Sequence, residues 1–353
     1  TGSTIPAGSG TLVVLDMGDS APTSLSGLVV SDAGGLDLGF EQAGFQNLWA
    51  NEVDSHQASI FKENFTDTKL YEESIHLLSS NMLMEEHGIP DVLIGGFPCV
   101  TYSNAANIHN KKHCDKKPKQ NYQKYAREGG ELFLHMRRMI GDMQPKAFVI
   151  ENVTDVLGAR IVMETLKNTP CSITGERLGR YYTFVYGNVV SSNFGVPQKR
   201  KRLIVMGFNK NIEQPILEHK PLDLTHTVGK ILEKNPDVPP YNGPMPDYML
   251  RRLNQTPSPR TGKVYRQKVA IKQNCESEIG NTCIAHYASD QSTQMVQRDD
   301  GLVTPYSVRE YANLQGFPSD FNIVNSKQSY RGIGNAVTVN VAKAIAEAVI
   351  TEL

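Results

Sequence analysis

The 353-residue chain contains no CxxC pair, and its five cysteines, at 99, 114, 171, 275 and 283, are odd in number and widely scattered. That spacing excludes the usual zinc frameworks, so no metal site is expected, and it fits free thiols in a reducing compartment. No run of about 18 apolar residues occurs, so no membrane span is expected. The chain opens on TGSTIPAGSG, small and polar, rather than on a charged-then-apolar leader. A cytoplasmic protein is the resulting expectation, with residues 1–27 as a flexible N-terminal arm. There is no GxGxxG and no internal repeat. The net charge is only −1, which by itself argues neither for nor against a polyanionic partner. With 39% hydrophobic and 21% charged residues, the composition is that of a globular protein long enough for one large and one smaller domain.

The distribution of charge says more than its sum. Residues 109–127 (HNKKHCDKKPKQNYQKYAR), 198–202 (QKRKR) and 251–272 are strongly basic. Any one of these is ordinarily a solvated face. Three together on a nearly neutral chain fit a one-sided positive surface of the kind that binds a phosphate backbone.

From about residue 28 to 208, strand-like and helix-like patterns alternate. GLVVS, NLWANEV, DVLIGGF, AFVIENV and RLIVMGF read as strands. GLDLGFEQAGF, DSHQASIFKENF (capped by Asp54 or Ser55) and GGELFLHMRRMIGDM read as helices. This rhythm predicts an α/β protein with a doubly wound, mostly parallel sheet. Between about 211 and 303 the rhythm stops, prolines cluster and polar residues dominate, which predicts a second, smaller domain. After 304 order returns. SVREYANLQGF reads as a helix capped by Ser307 or Thr304, and NVAKAIAEAVITEL as a final amphipathic helix packed back on the first domain, giving one domain from 28–210 plus 304–353.

Doubly wound sheets bind ligands at the carboxyl ends of their strands. Gly34-Gly35 sits at one such end; it is a simple strand-to-helix turn or a place where a ligand meets bare backbone. Glu52, after NLWAN, suits a ribose diol, or is an acid favoured by a helix N-terminus. Cys99 follows the rigid turn GGFP; it is a buried structural thiol, or an exposed one with depressed pKa. Glu151, behind the apolar run of FVIEN, must be paired or used as an acid. Gln198, Arg200 and Arg202 alternate, so they share one face of an extended segment and could orient Glu151 or hold a phosphate. Asn335, after Gly334 and just before a helix, reads as a turn residue and N-cap or as part of a site.

Taken in order, AGGLDLGFEQAGF, ANEVD, GGFPC, IENV, GVPQKRKR, REYANLQGFP and GIGNAV resemble the DNA cytosine-5 methyltransferases over most of 28–208 and 304–345. The resemblance implies a Rossmann-like domain that binds S-adenosylmethionine, a target-recognition domain at 211–303, and a cleft for duplex DNA between them. It implies Cys99 as nucleophile and Glu151 as the acid at cytosine N3, with Arg200 and Arg202 supporting Glu151 and substrate. Val30, Ser31, Gly34, Gly35, Glu52, Val53, Ser74, Ile75, Pro98, Asn335 and Val337 would surround the cofactor. Ser103, Asn104, Lys111, Lys112, Lys116, Lys117, Arg251, Arg252 and Arg260 would contact DNA, and the basic stretch 104–127 would correspond to the loop that closes over flipped DNA in such enzymes. The implied partners are duplex DNA and, in the same system but not physically bound, a cognate restriction endonuclease; the chain is expected to act as a monomer.

The sequence departs from the family pattern in places. Val30, Ser31 and Asp32 stand where an aromatic residue and a small-Gly step are usual. Ser74-Ile75 replaces the usual Asp-Ile near the adenine, and Val100 the usual glutamine. Two other readings share these residues: an RNA cytosine-5 methyltransferase, and a DNA-binding homologue whose altered cofactor segments no longer support turnover.

Overall fold

The computed structural model describes side chains in residues 34–96, 135–154, 181–219, 227–234, 236, 238, 251, 256–262, 264, 279–289 and 294–353, and the backbone of 24–28 and 270–272. In chain order the first half runs β1 (Ser24–Leu28), α1 (Gly35–Glu41), β2 (Gln46–Asn51), α2 (Ser55–Asn64), β3 (Lys69–Tyr71), α3 (Ser80–His87), β4 (Val92–Gly96), a helix α4 over 135–143, and β5 (Ala147–Asn152). Then follow β6 (Tyr182–Val190), β7 (Lys201–Phe208), α5 (Val228–Ile231), β8 (Ala270–Lys272), β9 (Met295–Gln297) and β10 (Val303–Thr304). The last helices are α6 (Val308–Asn313), α7 (Lys327–Asn335) and α8 (Val339–Ile350).

Seven strands form one sheet in the order β3-β2-β1-β4-β5-β7-β6. The first five are parallel; β7 runs antiparallel to β5 and to β6. The chain order reverses between β1 and β4, and at such a switch point the helices diverge and leave a crevice at the carboxyl ends. The alternation of β5 and β7 explains why both faces are covered. Ala147 and Val149 join Ile204, Met206 and Phe208 in a core with Leu36, Phe40, Val341 and Ile345 of α1 and α8. Phe148 and Ile150 join Leu203 and Val205 on the opposite face, with Trp49, Leu83 and Met136, Met139, Ile140 and Met143 of α4. Each fully buried side chain of this size stabilises by about 1.5–3 kcal/mol before entropy is subtracted. The segment Lys327–Ile350 is long and apolar enough by composition to cross a membrane, but most of it is buried in this core.

Local chemistry sets the helix starts. Asp54 caps α2, accepting from the amides of His56 and Gln57. Ser307 caps α6 in a reciprocal box with Glu310.

Three features differ from expectation. The first strand is described over Ser24–Leu28, so it begins before residue 27 and part of the expected arm lies in the sheet: Leu25 to Leu28 pair with Val92 to Gly95. A central strand is placed by its neighbours' register rather than by its own hydrophobicity. The helix expected to run to Phe45 stops at Glu41, and Gly44 adopts φ 96° in the turn that follows. Asn335 ends α7 and is exposed; Thr338 stands at the N-cap position of α8, with its hydroxyl bonded to Gln315 and Ser191 rather than to the helix amides.

A small three-stranded sheet, β10-β9-β8, lies in the region expected to hold a second domain. Part of that region shares a core with the helices after it. Cys283, Tyr287 and Val296 pack with Tyr306, Tyr311, Tyr330 and Ile333. The rings of Tyr287 and Tyr311 stack with centroids 4.5 Å apart.

Candidate active site

The parallel strands bring their carboxyl ends to one edge of the sheet, and most of the expected residues follow those ends. At the β4–β5 pair, Gly96 stands opposite Glu151. Glu151 is buried, and its Oε2 lies 3.3 Å from where a Cβ on Gly96 would be. The carboxylate therefore leans over the exit of β4, the strand that leads to Cys99. Glu151 Oε1 is 2.8 Å from Nε of Arg202, and both side chains are largely shielded from solvent. A paired charge in that setting is held in one orientation, because losing its partner would strand it in a poorly solvated place.

The alternation of Gln198, Arg200 and Arg202 holds: Gln198 and Arg200 are buried, while Lys199 and Lys201 are exposed. Arg200, however, does not reach Glu151 by hydrogen bond. Its guanidinium donates to the carbonyls of Cys283 (2.9 Å), Gly334 (3.1 Å) and Asn335 (3.1 Å). Burial and the neighbouring Arg202 pull its pKa down to about 9; three carbonyl acceptors nonetheless keep the group a cation at neutral pH. Arg200 thus spends its hydrogen bonds on backbone, since a guanidinium sealed from solvent needs fixed acceptors, while the Glu151 charge still acts on it through space.

On the cofactor side, Gly34 precedes α1 with φ 80°. A Cβ on Gly35 would meet the Val337 carbonyl at 2.3 Å, so only glycine lets α1 start against that segment. Glu52 is buried at the end of β2, with Oε1 accepting from the Asp54 amide at 2.7 Å. Val53 beside it is 59% exposed. Ser74 is half-buried after β3. The side chains of Ile75 and Val337 belong to the two cores, so these positions offer the crevice backbone rather than side chain.

Arg251 is half-buried, its carbonyl accepting from the Thr256 amide, and Arg260 is exposed in a turn. Val30, Ser31, Asp32, Pro98, Cys99, Val100, Ser103, Asn104, Lys111, Lys112, Lys116, Lys117 and Arg252 lie outside the described residues.

Sequence reasoning missed the polar network behind this edge. Gln198 Nε2 donates to Leu314 O (2.6 Å) and Gln315 Oε1 (2.9 Å), and its Oε1 accepts from the Cys283 amide (2.8 Å). It also missed a buried pair: Arg298 grips Glu310 through two nitrogens, at 2.6 and 2.9 Å, and Glu310 also accepts from the amides of Glu233 and Ser307. Buried amides and ion pairs carry no periodic signal; only the polar letters of REYANLQGF hinted at them. Cys283 is buried against Tyr311, and burial pushes its thiol up to about 12, so it is an inert cysteine.

A sheet whose chain order reverses between β1 and β4, with a carboxylate–guanidinium pair at the carboxyl end of β5, has the architecture of the Rossmann-like class. Solved structures share this fold. A prophage-encoded DNA modification methyltransferase of E. coli matches with TM-score 0.63 and 21% identity over 93% of this chain and 99% of that one. The S. pombe Dnmt2 methyltransferase matches with TM-score 0.66 and 16% identity over 93% and 98%. The chain belongs to the C-5 cytosine-specific DNA methylases, whose family model matches residues 29–351. The Type II methyltransferase M.SsoII of Shigella sonnei is 31% identical over the whole chain and 88% of its own length. M.DsaV of Dactylococcopsis salina is 28% identical over 90% of this chain and 83% of its own. The protein is thus an enzyme that methylates cytosine at C5 in DNA with a methyl-donor cofactor.

Proposed function

We propose that this chain transfers methyl from S-adenosylmethionine to a flipped-out cytosine by covalent catalysis from Cys99. Cytosine C5 is a poor nucleophile. When the Cys99 thiolate adds to C6, the C5–C6 electron pair is released into the ring, C5 becomes nucleophilic, and charge builds at N3. Glu151 meets N3, and a well-placed group of this kind typically supplies about 3 kcal/mol of the barrier. The cofactor supplies an electrophilic methyl on a sulfonium. After transfer a base removes the C5 proton, the C6–S bond breaks and the thiolate returns. A stacked cytosine hides C6, so the base is extruded at a cost of a few kcal/mol, offset by pocket and backbone contacts.

The observation that carries this reading is the Arg202-held Glu151 carboxylate leaning over the exit of β4. The residues at the crevice fit the cofactor. A buried carboxylate, Glu52, suits a ribose diol, and the exposed apolar side chains Val53 and Leu77, after β2 and β3, suit the faces of a purine. Arg200 acts on backbone, and Arg202 is the arginine that supports Glu151. Residues 211–303 read the DNA sequence, with Cys283, Tyr287 and Val296 packing this region against the helices after residue 304. Type II relatives fit a role as the modification partner of a restriction endonuclease.

Bisulfite sequencing of DNA from cells expressing the protein tests this. Protected cytosines within one short sequence, lost in Glu52→Ala, support it. An unmodified genome, together with no detectable cofactor binding, points to the homologue without turnover.

A further inference from the structure

We propose that Gln315 is a positioning residue for the cofactor side of the crevice, acting through the link between α7 and α8. Gln315 is fully buried. Its Nε2 donates to the carbonyls of Ile333 (2.7 Å) and Ala336 (3.1 Å). Its Oε1 accepts from Gln198 Nε2 (2.9 Å) and Thr338 Oγ1 (3.1 Å). A primary amide offers two donors and two lone pairs, and all are used. The Gln315 backbone carbonyl also accepts from the Val339 amide at 3.0 Å. One residue thus holds the 333–339 link at both ends and in the middle.

That link contains Asn335 and Val337, and the Val337 carbonyl is the seat on which Gly35 starts α1. On the other side, Gln198 lies on the extended segment that carries Arg200 and Arg202. Arg200 grips the carbonyls of Gly334 and Asn335 from below the same link, and Arg202 pairs with Glu151. The ion pair at Glu151, the 198–202 backbone, the Gln198–Gln315 hydrogen bond and the link on which Gly35 packs therefore connect the carboxylate to the glycine turn, with Gln315 at the centre. Only a side-chain amide satisfies this position. Glutamate has the same shape, but as a carboxylate it would set acceptors against the carbonyls of Ile333 and Ala336, and the link would have to shift. Thr338 reports on the same network more gently: Thr338→Val keeps the shape and removes the bonds to Gln315 and to Ser191.

A residue that served only packing would lower stability and both ligand affinities together. A positioning residue alters the affinity on its own side of the crevice. The test uses full-length wild type, Gln315→Glu, Thr338→Val and Glu52→Ala. S-adenosylmethionine affinity is measured by calorimetry, affinity for a duplex of the methylated sequence by fluorescence anisotropy, and thermal midpoint alongside. Gln315→Glu is expected to weaken cofactor binding by more than about tenfold, and Thr338→Val by about fivefold, with DNA affinity held within about twofold. If Gln315→Glu does not fold, Thr338→Val decides. Parallel losses for cofactor and DNA overturn the proposal, as does unchanged cofactor affinity in the folded variants while Glu52→Ala loses it. The proposal rests on the cofactor reading of the crevice. If Glu52→Ala leaves cofactor affinity intact, that reading fails first and this proposal falls with it.

Discussion

Nε of Arg202 lies 2.8 Å from Oε1 of Glu151, and this contact joins the antiparallel strand β7 to the last parallel strand, β5. It fixes a carboxylate beside the exit of β4. Glu151→Gln keeps the shape and a donor-acceptor pair but loses the acid. Methyl transfer should fall by about 10²–10³, with DNA affinity within about threefold. Single-turnover rates and anisotropy separate the two; equal losses in both would assign Glu151 a structural role.

Arg202→Ala should leave the Glu151 charge without its nearest counter-charge and slow transfer by about 10- to 100-fold. Arg202→Lys should recover part of that, because the charge remains while the planar fork is lost. Full activity in Arg202→Ala would show that the pair does not orient the acid.

The Arg298–Glu310 pair is a separate matter of stability. Both side chains are buried, and Glu310 also holds the start of α6. Arg298→Met should cost about 3–5 kcal/mol, since it leaves a carboxylate in the core without its cation. Denaturant unfolding checks this. A loss below about 1 kcal/mol would mean that the carboxylate finds water or another partner.

Two glycines should respond differently to one added methyl. In Gly207→Ala the new Cβ would sit 2.1 Å from the Phe148 ring, within the sheet, and in Gly35→Ala it would sit 2.3 Å from the Val337 carbonyl. Both should destabilise by about 1–3 kcal/mol. Only Gly35→Ala should also weaken S-adenosylmethionine binding at temperatures where the protein stays folded.

Stability should fall as pH rises above about 9. Cys283 is pushed up to about 12 by burial, and Tyr287 and Tyr311 are raised well above the usual range for the same reason. The folded state keeps these protons, while the unfolded chain gives them up. The stabilisation is therefore complete below the unfolded pKa and is lost as pH climbs toward the folded value. Between about pH 8 and pH 10.5, Cys283 alone should account for on the order of 2 kcal/mol. Cys283→Ala should flatten the decline by about that amount. An unchanged slope would show that the thiol is accessible in the native protein.

Much of the fold was legible because burial on both faces writes itself as short apolar runs: VLI in β4, AFVI in β5 and LIVM in β7 were all read as strands. Asp54 and Ser307 were legible because capping needs only a short side chain at a helix start. Strand β1 begins earlier than its apolar letters indicate, because its position depends on β2 and β4. Strand β6 was overlooked; it lies at the sheet edge, with a half-exposed alternation too weak to stand out. At the site, Glu151 and Arg202 were readable from their strand positions. Gln315 and Thr338 were not, since their partners are carbonyls and amides far along the chain. For Arg200 the letters leave open whether it orients Glu151 or holds a phosphate, because alternation gives the face on which a side chain lies, not the group it meets there.

The central claim is a transient bond between the Cys99 sulfur and C6 of the target base. Duplex DNA with 5-fluorocytosine at the target position cannot lose its C5 substituent, so the enzyme should be trapped on it. A denaturation-resistant protein–DNA adduct that requires S-adenosylmethionine and is absent in Cys99→Ser is the predicted result. An adduct that persists in Cys99→Ser, or none in a wild-type protein that methylates ordinary DNA, would contradict the account.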